Sequence, residues 1–216
     1  MIEKIKGLKR EKKINLFLVI FFGVGIFGLG LETTRDFFIG LMPFSLLLGM
    51  GLMFWVHRSW NPRHLWIFLL IALLGYGVEI AGVLTGEVFG SYSYGRGLGF
   101  QLWGTPPMIG LNWLMLIYAV YVLLRKMPVH PVFQIMMGAG LMVAYDVVME
   151  PVAMKLDMWN WAGDIIPLQN YIAWFVISLV MLSIFHIAKI RYRNGVAPAL
   201  FFIQMGFFLV LHLWIT

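Results

Sequence analysis

Residues 65–85 read LWIFLLIALLGYGVEIAGVLT, and Glu79 is the one charged side chain among them. A helix needs about 20 mostly apolar residues to cross the hydrocarbon core of a bilayer, so this run predicts a membrane-spanning helix. The same criterion selects six further runs: 14–31, 37–56, 107–124, 132–150, 167–188 and 196–215. All seven are too long and too uniformly apolar for transmembrane strands. The sequence therefore predicts an all-α, polytopic membrane bundle of about seven transmembrane helices, with residues 1–216 forming a single transmembrane domain.

The composition supports this fold class. Hydrophobic residues make up 61% of the 216 residues and charged residues 12%, against about 45–50% and 25% in a typical soluble domain. These values exclude a soluble globular enzyme, a disordered chain and a fibrous protein. The chain has no cysteine, which excludes disulfides, thiolate metal sites, cysteine nucleophiles and iron–sulfur clusters.

The basic residues predict the orientation of the bundle. One side of the membrane, the side on which the first predicted helix ends, has three basic residues: Arg35, Arg96 and Lys155. The other thirteen fall on the opposite side: Lys4, Lys6, Lys9, Arg10, Lys12, Lys13, Arg58, Arg63, Arg125, Lys126, Lys189, Arg191 and Arg193. Because cytoplasmic loops carry the excess of Lys and Arg, we expect an N-in, C-out protein of the cell inner (plasma) membrane, with residues 1–13 as a basic cytoplasmic tail. Topology and attraction to anionic membrane lipid then account for the net charge of +6, and no nucleic-acid partner is expected.

Three acidic residues fall within the outer halves of predicted helices. Glu79 lies about six residues, or roughly 9 Å, below the outer end of the third helix. Asp146 has a similar depth in the fifth helix, and Glu150 follows one turn nearer the surface on the same face. An ionised acid near the bilayer centre costs on the order of 2.5–3.5 kcal/mol, so Glu79 and Asp146 should face a protein interior. The alternative role for all three is interhelical hydrogen bonding, and for Glu150 we expect solvation or pairing.

Aromatic residues dominate the two longest outer loops, 86–106 and 151–166, which we expect to fold against the membrane surface or re-enter it. An interfacial aromatic belt is one explanation. However, the intervals from Pro106 to Trp113 and from Pro167 to Trp174 are both seven residues, and each follows an aromatic loop. This spacing indicates a possible internal two-helix repeat, helices three–four and five–six, with two half-sites around one pocket.

Common cofactor motifs are missing or misplaced. The pattern Gly23-x-Gly25-x-x-Gly28 lies inside a predicted membrane helix, where no strand precedes it, and is not a dinucleotide fingerprint. No two of the five histidines are three or four residues apart, which excludes the histidine arrays of membrane di-iron enzymes. We therefore predict no metal and no cofactor.

Several motifs resemble those of a known family. The main run is Glu79-x2-Gly82-x2-Thr85-Gly86-x2-Phe89-Gly90-x-Tyr92-x-Tyr94, and the later ones are Pro106/Pro107 with Trp113, Asp146 with Glu150-Pro151, Trp159-x-Trp161 and Pro167-x2-Asn170-x3-Trp174. Their order over residues 75–175 resembles the carotenoid biosynthesis protein family, which includes the CruF-like carotenoid 1,2-hydratases. The resemblance implies a membrane hydro-lyase that adds water across the terminal 1,2 double bond of an acyclic C40 (lycopene-like) or C50 carotenoid, without a redox cofactor.

Such a reaction needs a positioned proton donor, an electron-rich surface near a tertiary carbocation, and one controlled water. Glu79 and Asp146 are the candidates for the donor and for the partner of the cation or water, and the sequence leaves open which is which. The expected substrate-binding residues are Glu87, Tyr92, Tyr94, Asn112, Trp113, Glu150, Trp159, Trp161, Asn170 and Trp174. The alternatives are a carotene cyclase that uses the same protonation, and a non-catalytic carotenoid-binding or proton-coupled transport protein. The oligomeric state stays open.

Overall fold

The computed structural model describes residues 2–58, 60–190 and 193–216, with side chains from residue 9 onward. Within these ranges the chain forms seven α-helices: α1 Ile2–Gly30, α2 Glu32–Trp55, α3 Pro62–Thr85, α4 Met108–Leu124, α5 Pro131–Lys155, α6 Leu168–Ala188 and α7 Val196–Ile215. Six of the described helices are long and apolar enough to cross a membrane. The predicted all-α membrane bundle is confirmed.

The shorter helix, α4, occupies the centre of the bundle. It packs against α2, α3, α5, α6 and α7, and 14 of its 17 residues are buried. At about 1.5 Å per residue it is roughly 26 Å long, near the lower limit for a spanning helix. Because protein surrounds α4 on every side, its apolar residues form the core of the bundle instead of a lipid-facing surface.

Two short strands join the outer loops. Strand β1, Tyr92–Tyr94, pairs antiparallel with β2, Trp159–Trp161, so that Tyr92 lies opposite Trp161 and Tyr94 opposite Trp159. Both strands alternate aromatic and polar residues, which places the rings on one face and the polar side chains on the other. The two outer loops thus bind each other, and their expected position at or within the membrane surface stays a prediction.

The strand pair joins two similar units, α3–β1–α4 and α5–β2–α6. Trp113 near the start of α4 and Trp174 in α6 stack with ring centroids 4.3 Å apart and an interplanar angle of 30°. Each of these tryptophans is the last residue of one of the two seven-residue intervals that predicted a repeat. The two units therefore meet around a shared centre, as that spacing indicated.

Local signals explain the limits of α3. Asn61 precedes it and accepts a hydrogen bond from the backbone of His64 at 2.9 Å, and Pro62 occupies the first helical position. Gly86 ends the helix in the left-handed conformation, with φ of 69°. The chain then turns directly into the loop that carries β1.

The described helix ends fall at the two ends of the bundle in the order that the basic residues predicted. Both strands lie at the end of the bundle where α3 and α5 finish, whereas Arg58 and Glu11 form an ion pair of 3.6 Å after α2 and within α1. α1 begins twelve residues before the predicted span, because the basic tail continues the same helix. Arg191, one of the thirteen basic residues, lies outside the described residues, and which end faces the cytoplasm stays a prediction.

Candidate active site

Three buried carboxylates lie beneath the strand pair. Glu79 comes from α3, and Asp146 and Glu150 come from α5 one turn apart. Their side chains are 4%, 0% and 1% exposed. The expectation for Glu150 is right about pairing and wrong about solvation, since the β1–β2 pair covers the end of α5. Such burial requires that each carboxylate be hydrogen-bonded.

Glu79 binds three donors. Its Oε2 accepts hydrogen bonds from the hydroxyls of Tyr92 and Tyr94, each at 2.6 Å, and its Oε1 accepts one from Trp113 Nε1 at 2.8 Å. The strand geometry explains the two tyrosines, because alternate residues of β1 point to the same face. Trp113 approaches from α4, where Gly75 of α3 leaves room for the indole.

The environment keeps both tyrosines protonated. Burial, followed by the nearby charge of Glu79, raises the pKa of Tyr92 and of Tyr94 well above the usual value of 10.0. Their hydroxyls therefore stay available as donors to Glu79 throughout the neutral and moderately alkaline range.

Glu150 is held by donors from β2 and α6. Its Oε2 accepts hydrogen bonds from Trp159 Nε1 at 2.9 Å and from Trp161 Nε1 at 2.7 Å. Its Oε1 lies 3.2 Å from Asn170 Nδ2. An indole nitrogen can only donate, so both Trp contacts require an acceptor at Glu150.

Asn170 links Glu150 to Asp146. The same Nδ2 that contacts Glu150 donates to Asp146 Oδ2 at 2.6 Å, and an amide nitrogen carries two hydrogens, one for each carboxyl group. Asp146 Oδ1 is buried and has no hydrogen-bond partner among the described residues. Asp146 thus has one carboxyl oxygen free to carry a proton.

A small cavity lies between the two halves of the site. The space that the centre of a water molecule can occupy is about 20 Å³, which is enough for roughly one water. Glu79 and Glu150 both line it, together with Tyr92, Tyr94, Trp159, Trp161, Asn170 and Trp174. Asp146 lies behind this wall and reaches it through Asn170. The site can therefore hold one water between two carboxylates and a set of aromatic rings.

The profile of the carotenoid biosynthesis protein family matches residues 40–215, which include the whole site. The chain belongs to the carotenoid biosynthesis protein family.

A curated relative in Haloarcula japonica is named bisanhydrobacterioruberin hydratase. It is 27% identical to this chain over 126 residues, an alignment that covers 53% of this chain and 42% of the relative. The chain thus spans less than half the length of the curated relative that it matches. No solved structure matches the chain significantly. The family is named for carotenoid biosynthesis.

Most of the predicted site residues of this carotenoid biosynthesis protein come together, but two lie elsewhere. Glu87 is exposed, and its backbone carbonyl, not its carboxylate, binds Gln169. Asn112 lines a separate apolar cavity on the other side of α4. The remaining predicted residues lie in or against the carboxylate cluster.

Two cavity residues were missing from the sequence prediction. Phe89 and Ile109 are 1% and 3% exposed and line the one-water cavity. Phe89 belongs to the motif that carried the resemblance, so its position in that run was the available signal. Ile109 had no signal, because an isoleucine in an apolar helix looks like any core residue. Among the described residues, no group of three or more histidine, aspartate and glutamate side chains has the arrangement of a metal site.

Proposed function

We propose that this protein is a cofactor-independent hydratase that adds water to the terminal 1,2 double bond of an acyclic carotenoid end group. The observation that carries the proposal is the one-water cavity, which has two carboxylates and several aromatic rings as its wall. The family and the hydratase among its relatives support a carotenoid as the substrate. The substrate would be a C40 lycopene-like or C50 carotenoid in the cell inner membrane.

The proton would come from the pair formed by Asp146 and Glu150. Two buried carboxyl groups joined by one amide favour holding one proton between them, because two adjacent negative charges repel. Asp146 Oδ1 has no competing partner among the described residues, and Glu150 faces the cavity. In this scheme Glu150 delivers the proton to C2 of the end group, and Asp146 supplies it from behind.

Protonation at C2 places a tertiary carbocation at C1. The electron-rich faces of aromatic rings stabilise a cation within about 6 Å. Tyr92 and Trp161 lie 5.0 Å apart by ring centroid, and Trp113 stacks on Trp174. Glu79, fixed by three donors, adds a negative charge close to the same centre.

Water then attacks C1 and forms the tertiary alcohol. The new C–O bond requires loss of one proton from the water, and Glu79 is the acceptor beside the cavity. The proton returns from Glu79 to the Asp146–Glu150 pair through the next water that occupies the cavity. The net reaction adds one H₂O to one double bond, with no oxidant or reductant.

The cavity favours hydration over cyclisation. A cyclase would use the same protonation but would let a second double bond of the substrate capture the cation, and such a site should exclude water. The space here fits about one water and is lined by hydrogen-bonding groups. The carboxylate oxygens of Glu79 and Glu150 in this wall support water as the group that captures the cation.

Pigment analysis tests the proposal. The wild-type protein, expressed in a lycopene-producing host, should yield a more polar pigment that is heavier by one or two waters. Glu79→Gln and Asp146→Asn should each reduce this product by at least about 10²-fold at equal protein level, since general acid–base catalysis contributes about 10²–10⁴-fold. Glu87→Gln is the control, because Glu87 is exposed and outside the cluster.

Each other outcome has a clear meaning. A pigment product with the same mass as lycopene would show that the protein is a cyclase and not a hydratase. Unmodified lycopene with wild-type protein would leave a carotenoid-binding or transport role. Product within a few-fold of wild type in both acid variants would show that the carboxylates are structural.

A further inference from the structure

An apolar cavity lies beside the carboxylate cluster. Its volume for the centre of a water molecule is about 140 Å³, and its walls come from α1, α2, α4, α5 and α7. Apolar cavities of about 150 Å³ can stay dry and bind ligands the size of benzene. This cavity therefore has room for the end of a branched hydrocarbon chain.

Two side chains belong to both cavities. Ile109 and Trp159 line the apolar cavity on one side and the one-water cavity on the other. Trp159 also donates its indole hydrogen to Glu150. A hydrocarbon chain in the apolar cavity would thus end against the wall that holds the carboxylates.

The opposite end of the cavity reaches the lipid-facing surface. Val24 of α1 and Leu41 of α2 line it, although they are 56% and 40% exposed. Val24 is six residues, or roughly 9 Å, from the outer end of α1, the same interval that separates Glu79 from the end of α3. The opening and the carboxylates therefore lie at similar depth.

We propose that this cavity is the channel through which a linear isoprenoid chain passes from the membrane, between α1 and α2, to the carboxylates. The proposal rests on the proposed function for the identity of the chain, a carotenoid. The reacting double bond passes Ile109 and Trp159, which line both cavities, and so reaches the carboxylates. The carbons behind it occupy the channel, and the rest of the polyene stays among the lipid tails.

Matched tryptophan substitutions test the channel by pigment binding. In an Asp146→Asn background expressed with lycopene, the protein is purified in mild detergent, and extracted pigment is measured per mole of protein. Leu46→Trp fills the cavity, whereas Leu47→Trp places the same ring on the lipid-facing side of α2. Loss of burial for a five-carbon end group should lower bound pigment at least about tenfold for Leu46→Trp, with Leu47→Trp near the background level.

A second pair of variants tests whether a loss of pigment comes from a folding defect. Val24 is exposed at the opening, so Val24→Trp should narrow the entrance without changing the core, and Ile20→Trp is its control one turn away. Size-exclusion chromatography checks that all four proteins are folded. Equal pigment in the channel and control variants, or no bound pigment in the unsubstituted background, would overturn the channel.

Hydration is assayed separately in the wild-type background. If lycopene is hydrated but the channel and control variants bind equal pigment, the proposed function stands and the channel is wrong. If pigment binding depends on the channel but no hydrated product forms, the channel stands and the hydratase is wrong.

Discussion

Donors and acceptors distinguish two of the buried carboxyl groups, Glu79 and Glu150. Glu79 contacts two tyrosine hydroxyls, which can donate or accept, and one indole. Glu150 contacts two indoles and the amide nitrogen of Asn170, all of which present hydrogens. A glutamine at position 79 can direct its oxygen toward Trp113 and its NH₂ group toward the two tyrosine hydroxyls, which can accept. At position 150, either orientation of a glutamine directs its NH₂ group at a group that can only donate.

We expect Glu150→Gln to lower the free energy of unfolding by about 1–3 kcal/mol, because it leaves buried donors without acceptors. Glu79→Gln should keep the wild-type Tm while losing hydration, and it serves as the matched control. Thermal unfolding in detergent, read by tryptophan fluorescence, compares the two. Equal Tm values for both variants would contradict this assignment of donors.

The two tyrosines predict a loss of stability at high pH. Their pKa is raised in the folded protein, so the folded state binds their protons more tightly than the unfolded state does. The stabilisation is then fully present below pH 10.0, the usual tyrosine value, and is lost as pH rises above it.

The Tm of wild type should fall progressively as the pH rises above about 10, with a smaller change in a Tyr92→Phe/Tyr94→Phe variant. Buried tyrosines elsewhere in the bundle are common to both proteins, so the difference between the two curves isolates the β1 pair. Parallel curves would show that Tyr92 and Tyr94 do not contribute.

At the scale of elements, the close approach of α3 and α4 positions Trp113 against Glu79. A Cβ at Gly110 would lie 2.5 Å from the backbone oxygen of Ala72, and one at Gly75 would lie 2.6 Å from Trp113 Cβ. Backbone atoms cannot yield as a flexible side chain can. The absence of a side chain at Gly110 therefore sets the spacing of the two helices.

Gly110→Ala should destabilise the protein by about 1–3 kcal/mol and reduce hydration, since α4 must move away from α3. Gly77→Ala is the control: it lies on an exposed face of α3 with no atom within 4 Å of the added Cβ. It should be neutral or stabilise by about 0.5–1 kcal/mol. Tm and product yield are the measurements, and equal effects of the two substitutions would refute the close-packing argument.

At the scale of the whole molecule, the site lies at one end of the bundle. β1 and β2 follow the C-terminal ends of α3 and α5, while Arg125 and Lys126 follow α4 at the opposite end. From the positive-inside rule, we expect the one-water cavity to lie toward the non-cytoplasmic surface.

Because the chain has no cysteine, single cysteines report sidedness directly. Ser93→Cys should react with a membrane-impermeant maleimide from outside intact cells, and Lys126→Cys only after permeabilisation. Both positions lie away from the carboxylates, so turnover verifies that each protein is correctly folded. Labelling of both from the same side would overturn the topology.

The sequence by itself determined the class of fold. Apolar runs such as 65–85 are too long to be anything but spanning helices in a chain of this composition, and the basic residues are distributed unequally between the two ends. It also identified Glu79, Asp146 and Asn170, because a buried acid or amide in an apolar helix carries a high energetic cost and needs a specific partner.

Only the tertiary structure decided how these residues are combined. The pairing of β1 with β2 buries Glu150 beneath Trp159 and Trp161, which its position near a helix end did not indicate. Asn112 faces the apolar cavity, and Ile109 divides that cavity from the water site. A helical sequence specifies which residues share a face, but the neighbour of each face depends on contacts between segments far apart in the chain.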